Sequence, residues 1–350
     1  MFARGADGIH SVFAHPIPAL VYGAQMLPSI TDIAVMGAQT LRAFGQRIPA
    51  AGGVLAQSLP GVVRERNTLI TGASQGIGKS TALQLGRAGG TILLVARTEK
   101  KLQEVAREVE SLGGVAHVHP CDLSDTDDID RMADEVLEQH GHVDILVNNA
   151  GKSIRRSVSR AYDRFHDYER TMQLNYFASV KLILKLLPVM REQGTGHIIN
   201  ISTIGLQMNT PRFSAYVASK AALDAFSRSI GPEVINDGVH MTTIYMPLVR
   251  TPMIAPTKIY DRFPTLSPEE AAEMICDAMR KRPKRVATAL GNLGQLTYAI
   301  APGAQDLVVN RAYKLFPEGG DKPQEIEQPT PEQRAFEQRA FARATRGVHW

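Results

Sequence analysis

The sequence predicts an α/β protein built on a doubly wound parallel sheet with helices on both faces. Three observations carry that expectation. Between residues 64 and 317, short β-branched runs alternate with longer runs of helical period. Several of the short runs are apolar almost throughout, as expected of strands covered on both sides. Most residues with chemical promise stand where those runs stop, and such a sheet binds ligands beyond the carboxyl ends of its strands.

The strands are read in order as "TLIT", "TILLVA", "VAHVHP", "VDILVNNA", "GHIINIS", "VHMTTIYM" and "RVATA". Helices are expected to begin between them, near Gly76, Glu99, Asp125, Tyr162, Ser214 and Ser267. Strand, helix and strand in repetition is the pattern of a Rossmann-type fold. Residues 1–63 form an apolar, proline-punctuated extension, with Pro16, Pro18, Pro28, Pro49 and Pro60. No apolar run in it reaches the roughly 18 residues that span a bilayer. His10, His15 and two prolines interrupt any signal-peptide core. The extension reads either as short helices or loose chain beside the main domain, or as a segment that docks on a membrane or partner. Residues 318–350 read as a polar linker with one short solvated helix. The run "LGQLTYAIAPGAQDLVVNRAYKLF" is apolar enough to close the core, join a second subunit in a homo-oligomer or touch a membrane, and the sequence does not separate these.

A chain of 350 residues suits one large domain or two small ones and can bury a sizeable core. The net charge of +4 gives no argument for nucleic acid, yet permits acidic ligands or peripheral contact with an anionic membrane. Cys121 and Cys276 lie too far apart in sequence for a zinc pattern or a disulfide framework. They are expected to be buried small apolar residues in a reducing, cytoplasmic setting, and no metal site is expected.

The stretch "TLITGASQGIGKST" can be read two ways. From Ala73 it is one residue short of a phosphate-binding P-loop with Lys79 and Ser80 in the working positions. A P-loop enzyme also needs an acidic residue closing another strand to hold magnesium. Here "DILV" runs into Asn148-Asn149-Ala150-Gly151 and "IINIS" ends in Ser202. Nucleotide hydrolysis is therefore the remote alternative. From Gly72 the stretch is a dinucleotide-binding turn: Gly72, Gly76 and Gly78 let backbone approach a pyrophosphate, and the helix that follows directs its first N–H groups at the charge. Ser74 and Ile77 belong to the same turn and are counted with it.

The second strand ends at Ala96-Arg97, with no acidic residue to hold a free ribose 2′-hydroxyl. Arg97 offers a cationic fork for a 2′-phosphate, which predicts NADPH as the cofactor. Asp122, just past the third strand, is placed to hydrogen-bond an adenine edge. In "SAYVASKAAL", Tyr216 and Lys220 are four apart on one helical face. A free phenol titrates near 10, and a neighbouring ammonium stabilises the phenolate, so the pair suits a proton donor and its activator.

With these motifs in order, the sequence resembles the short-chain dehydrogenase/reductase family. The marks are "TGASQGIG" at 71–78, "NNAG" at 148–151, "ISTIG" at 201–205 and "YVASK" at 216–220, and the resemblance spans roughly 64–290. It implies a catalytic set of Asn175, Ser202, Tyr216 and Lys220, with Tyr216 and Lys220 also binding the cofactor, Lys220 at its ribose. Asn149 and Gly151 would shape the nucleotide cleft. Val249 and Thr251 match the family beside the nicotinamide, but Met246 and Pro247 replace its Pro-Gly. Proline has no N–H and a fixed φ, so the turn there is expected to differ in shape.

A narrower resemblance, in "GKSIRRSV", "DRFHDYERTMQLNYF", "MPLVRTPMIAPTKIYDRFPTLSPEEAA" and "RGVHW", is to bacterial fatty acyl-CoA reductases. It implies a small lipophilic substrate, an acyl-CoA thioester reduced to an aldehyde, or the aldehyde reduced onward. The alternative is another lipophilic alcohol or ketone, such as a steroid or 3-oxoacyl group. Asn175 would hold a water that resupplies the proton through Lys220, and no covalent acyl-enzyme is needed. Residues 251–268, with Met253, Ile254, Ile259, Tyr260, Phe263 and Leu266, read as a lid over an acyl chain or as an apolar loop on its own domain. The cations Lys152, Arg155, Arg156, Arg160 and Arg164 read as a solvated face or as a contact for CoA phosphates.

Overall fold

The computed structural model describes residues 57–255, 265–315 and 348–349, all within the unit Leu55–Trp350. Seven parallel strands form its sheet: β1 Asn67–Thr71, β2 Thr91–Ala96, β3 Val115–Pro120, β4 Ile145–Asn148, β5 Gly196–Thr203, β6 Val239–Met246 and β7 Arg285–Ala287. An eighth, β8 Val348–His349, pairs antiparallel with β7. The order is β3-β2-β1-β4-β5-β6-β7-β8. Strand order reverses between β1 and β4, and that reversal opens a crevice at the carboxyl ends of these two neighbours.

Alternation along the strands builds two cores. Ile70, Ile92, Leu94 and Val147 belong to one apolar cluster, while Leu69, Leu93, Val95 and Leu146 belong to the other. The first is closed by α1 Leu59–Val63, α2 Gly76–Arg87, α3 Glu99–Ser111 and, with Ile275 and Met279, by α9 Pro268–Lys281. The second is closed by α4 Thr126–His140, α6 Ala178–Glu192 and the far end of α8 Ser214–Val234. The helix after the fourth strand, α5 Phe165–Met172, starts three residues later than the sequence suggested, behind a 3-10 turn at Val158–Arg160. Val62 and Val63 of α1 are fully buried, so packing of this domain begins a few residues before position 64.

Three further helices belong to the fold: α7 Ile204–Gln207, α10 Ala289–Ile300 and α11 Pro302–Leu315. Gly291 and Gly294 let α10 pack tightly on Gln207 and Met208. The outer faces of the last two helices expose Leu293, Leu296, Ile300, Leu307 and Val308. Among the described residues no helix is long and apolar enough to cross a membrane. The expectation of a linker and solvated helix for 318–347, like that of an apolar extension for 1–56, falls outside the described residues. At 348–349 the chain adds a strand, which covers an edge that β7 would otherwise present.

Candidate active site

The cleft begins with the glycine turn after β1. Gly72 and Gly76 have φ of +67° and +56°, which side chains rarely adopt. A Cβ on Gly78 would collide with the Gly72 carbonyl and lie 2.7 Å from Asn149 Nδ2. Helix α2 then starts at Gly76, behind Gln75, whose side chain makes no capping bond, and has no acidic residue in its first turn. Its leading N–H groups are thus available to an anion. Lys79 and Ser80 point elsewhere. Lys79 pairs with Glu108 at 2.8 Å, and Ser80 Oγ donates to Glu269 at 3.1 Å. Both bonds turn their side chains toward neighbouring helices, which removes the structural basis of the P-loop reading.

The "NNAG" segment locks β4 to this turn. Thr71 Oγ1 accepts bonds from the backbone N–H groups of Asn149 and Ala150, each at 3.0 Å. Asn149 Nδ2 returns a bond to the Thr71 carbonyl at 2.9 Å. Below it, Asn148 Nδ2 donates to Asn200 Oδ1, and Asn200 Nδ2 donates to Ser227 Oγ, both at 2.8 Å. This buried amide chain joins β4, β5 and α8 beneath the cleft, and leaves Asn148 Oδ1 as its one atom without a protein partner.

Ser202 ends in the cleft from β5 and is 4% exposed, and its Oγ has no partner within the protein. A buried hydroxyl without a partner is uncommon and suits a group that a ligand engages. Tyr216 and Lys220 reach the same cleft from α8. Lys220 Nζ donates to the Ile201 carbonyl at 2.7 Å, and burial pushes its pKa down to about 8. Gly151 lies close enough that a Cβ there would sit 3.5 Å from that Nζ.

Asn175 sits in a π-helical turn, Gln173–Phe177, between α5 and α6. Such single-turn insertions redirect a side chain that an unbroken α-helix would aim differently. Its Nδ2 donates to the Lys152 carbonyl at 3.0 Å and to Ser219 Oγ at 2.9 Å, and its Oδ1 accepts the Lys152 N–H at 2.8 Å. Ser219 Oγ in turn donates to the Tyr216 carbonyl. The Asn175 amide therefore spends both N–H bonds on the protein and ties the β4 loop to the helix that carries Tyr216.

A single cleft of about 1090 Å³ is lined by Gly72, Ser74, Gly76, Ile77, Arg97 and Asp122, by Asn149 and Gly151, and by Ser202, Tyr216, Lys220, Val249 and Thr251. Gly78 and Asn175 do not line it: Gly78 packs against the Gly72 carbonyl, and Asn175 is held by Lys152 and Ser219. Ligand clefts run to roughly 1,000 Å³, so this one has room for a dinucleotide and part of a second molecule. Arg97 is exposed just past β2. Lys101, in the first turn of α3 and four positions after Arg97, also lines the cleft. After β6, Pro247 leads into a short bridge between Val249 and Leu266, with the Arg250 N–H donating to the Leu266 carbonyl at 2.9 Å. Thr251 lies over Gly76, 3.2 Å from where a Cβ would stand. The turn thus reaches the glycine loop despite its proline. Of the apolar segment that follows, Ile259, Tyr260 and Phe263 lie outside the described residues, Leu266 is buried and Met253 is half exposed.

The basic run is divided. Asp167 on α5 has a side chain only 3% exposed and receives Arg156 at 2.9 Å, Arg170 at short range and Arg164 at 3.8 Å. Burial pushes the Asp167 carboxyl up, and bonds from Arg170 and Arg156 more than reverse this, holding it below the usual carboxylate range. Lys152, Arg155 and Arg170 line the cleft. Both cysteines are buried, and desolvation raises each thiol to about 12, which makes neither a nucleophile. Among the described residues no group of His, Cys, Asp and Glu fits a metal ion.

A doubly wound sheet, a glycine turn at its switch point and a hydroxyl, phenol and buried amine in one cleft define a nicotinamide-dependent oxidoreductase. The chain belongs to the short-chain dehydrogenase family, whose profile matches residues 66–259. It is 53% identical over 288 residues to a fatty acyl-CoA reductase of Acinetobacter baylyi, covering 82% of this chain and 96% of that one. A fatty acyl-CoA reductase of Mycobacterium tuberculosis is 50% identical over 223 residues, 63% of this chain and 76% of the relative. Among solved structures, a metagenomic short-chain oxidoreductase in complex with NADP superposes with a TM-score of 0.54 at 29% identity, covering 63% of this chain and 92% of that one.

Proposed function

We propose that the protein reduces a long-chain fatty acyl-CoA to the fatty aldehyde with NADPH. The observation that carries the reading is the convergence of Ser202, Tyr216 and Lys220 in one cleft whose walls include Leu174, Ile204, Phe213, Val217, Met246 and Met253. The names of the relatives at about half identity support the substrate class. The partnerless Ser202 hydroxyl fits a donor awaiting the substrate carbonyl oxygen, and the uncapped α2 terminus fits a bound dinucleotide.

NADPH, when bound, supplies a hydride to the carbonyl carbon. Ser202 donates a hydrogen bond to the carbonyl oxygen as it gains negative charge. With a thioester, the tetrahedral oxyanion re-forms its C=O, the C–S bond breaks, and CoA leaves as thiolate with the aldehyde as product. A proton from the Tyr216 side converts that thiolate to thiol; with an aldehyde substrate the same proton goes to the alkoxide. Lys220 holds positive charge beside the phenol and favours its release of a proton. Arg97 and Lys101 would hold the cofactor's 2′-phosphate. Asn175 positions the Tyr216 helix against the β4 loop.

The reading is tested by following NADPH oxidation with palmitoyl-CoA, hexadecanal and a steroid ketone, and identifying the product. Hexadecanal formed from palmitoyl-CoA supports it. Turnover of the ketone alone ends it.

A further inference from the structure

The cleft carries cations at two separate places. Arg97 and Lys101 stand beyond β2. Lys152, Arg155 and Arg170 stand beyond β4, on the other side of the glycine turn in the strand order. From β4 the chain crosses toward the start of α8: the Arg156 N–H donates to the Arg212 carbonyl at 2.7 Å, and the hydroxyls of Tyr168 and Ser214 meet at 2.7 Å. The second group of cations therefore lies on the Tyr216 side. Residues 152–170 hold six Lys and Arg against three Asp and Glu. One of those acids, Glu169, also lines the cleft. Asp167 is buried beneath and grips Arg156 and Arg170.

A nicotinamide dinucleotide needs only one cationic end for its 2′-phosphate. A second cationic end beside the reacting groups calls for an anion on the other substrate. The acyl chain has none, and neither does a fatty aldehyde. The thiol carrier of an acyl thioester does have phosphates. We propose that Lys152, Arg155 and Arg170 form an anion subsite for the phosphates of that carrier, with Asp167 as the residue that positions Arg170. This rests on the thioester reading given above. It adds that the enzyme tells thioester from aldehyde at this subsite: the first hydride releases the carrier, and the aldehyde left behind has lost its anchor.

The test compares palmitoyl-CoA, S-palmitoyl-phosphopantetheine, S-palmitoyl-pantetheine and hexadecanal in wild type, Arg155→Gln, Arg155→Lys, Arg170→Gln and Asp167→Asn. Loss of one charge-assisted contact predicts a rise of about tenfold or more in KM for palmitoyl-CoA in Arg155→Gln and Arg170→Gln. The kcat for palmitoyl-CoA, and KM for the unphosphorylated pantetheine ester and the aldehyde, stay within about twofold. Arg155→Lys recovers most of the loss, and Asp167→Asn shows the same selective rise. Arg155→Gln keeps Arg156, Arg164 and Arg170 on Asp167, so that variant reports on the subsite even if the cluster fails to fold when Asp167 itself is altered. A rise shared by the phosphopantetheine ester assigns the subsite to the pantetheine phosphate; one confined to CoA assigns it to the nucleotide phosphates. An unchanged KM for palmitoyl-CoA, or an equal rise for all four substrates, overturns the proposal. If wild type reduces hexadecanal but not palmitoyl-CoA, the thioester reading fails, and calorimetric titration of free CoA into the NADP-bound protein decides the subsite separately. Binding by wild type that Arg155→Gln loses supports it; no binding by wild type overturns it.

Discussion

Replacing Lys220 with methionine is expected to stabilise the protein and disable it. The amine is 4% exposed, with a hydrogen bond to the Ile201 carbonyl at 2.7 Å. Burial lowers its pKa from 10.5 to about 8. That corresponds to about 3 kcal/mol set against the charged form at neutral pH. Methionine fills a similar volume without charge. Losing the bond to the carbonyl offsets about 1–2 kcal/mol, leaving a net gain of about 1–2 kcal/mol for the variant. Below pH 8 both folded and unfolded lysines are protonated, so this advantage is constant. From pH 8 to 10.5 the folded amine has released its proton while the unfolded one still holds it. Wild-type stability therefore rises across that window and the variant's advantage closes. Urea unfolding of both ligand-free proteins at pH 7, 8, 9 and 10 measures the difference, and turnover should fall by about 100-fold or more. A variant less stable than wild type at pH 7, or an advantage that persists unchanged to pH 10, would refute the reasoning.

Three further outcomes are expected. Arg97→Asp weakens NADPH binding by about tenfold or more and shifts preference toward NADH, measured by fluorescence titration with each cofactor; unchanged preference would mean that the 2′-phosphate is read elsewhere. Gly78→Ala forces a Cβ against the Gly72 carbonyl and Asn149, costing about 1–3 kcal/mol in thermal unfolding and weakening cofactor binding; a neutral result would show that the turn yields easily. Asn175→Ala strands the Lys152 backbone and Ser219, with a loss of about 1–3 kcal/mol on urea unfolding and a reduced kcat; wild-type kcat would deny it any positioning role.

The sheet was legible because buried parallel strands leave apolar runs, and the cleft because its residues sit at strand ends in spacings that chemistry constrains. Tyr216 and Lys220 could be paired from helical geometry alone, since four residues span one turn. The setting of Asn175 was hidden: a π-helical turn leaves the helical pattern of its surroundings intact. So was the division of the basic run, because a linear charge pattern does not show that Asp167 is buried among arginines drawn from both sides of it. The pairing of β8 with β7 joins residues about sixty apart, and two residues have no periodicity to read. Lys79 and Ser80 show the reverse hazard, a local motif whose side chains are claimed by Glu108 and Glu269.

The central claim is that the Tyr216 hydroxyl delivers the proton for carbonyl reduction in this cleft. Tyr216→Phe removes that oxygen and little else, so NADPH consumption with palmitoyl-CoA and with hexadecanal, measured beside the NADPH dissociation constant, tests it most directly. The account predicts that aldehyde turnover is abolished while cofactor affinity stays within about twofold, with the palmitoyl-CoA rate falling by about 100-fold or more. Aldehyde reduction persisting near the wild-type rate would contradict it.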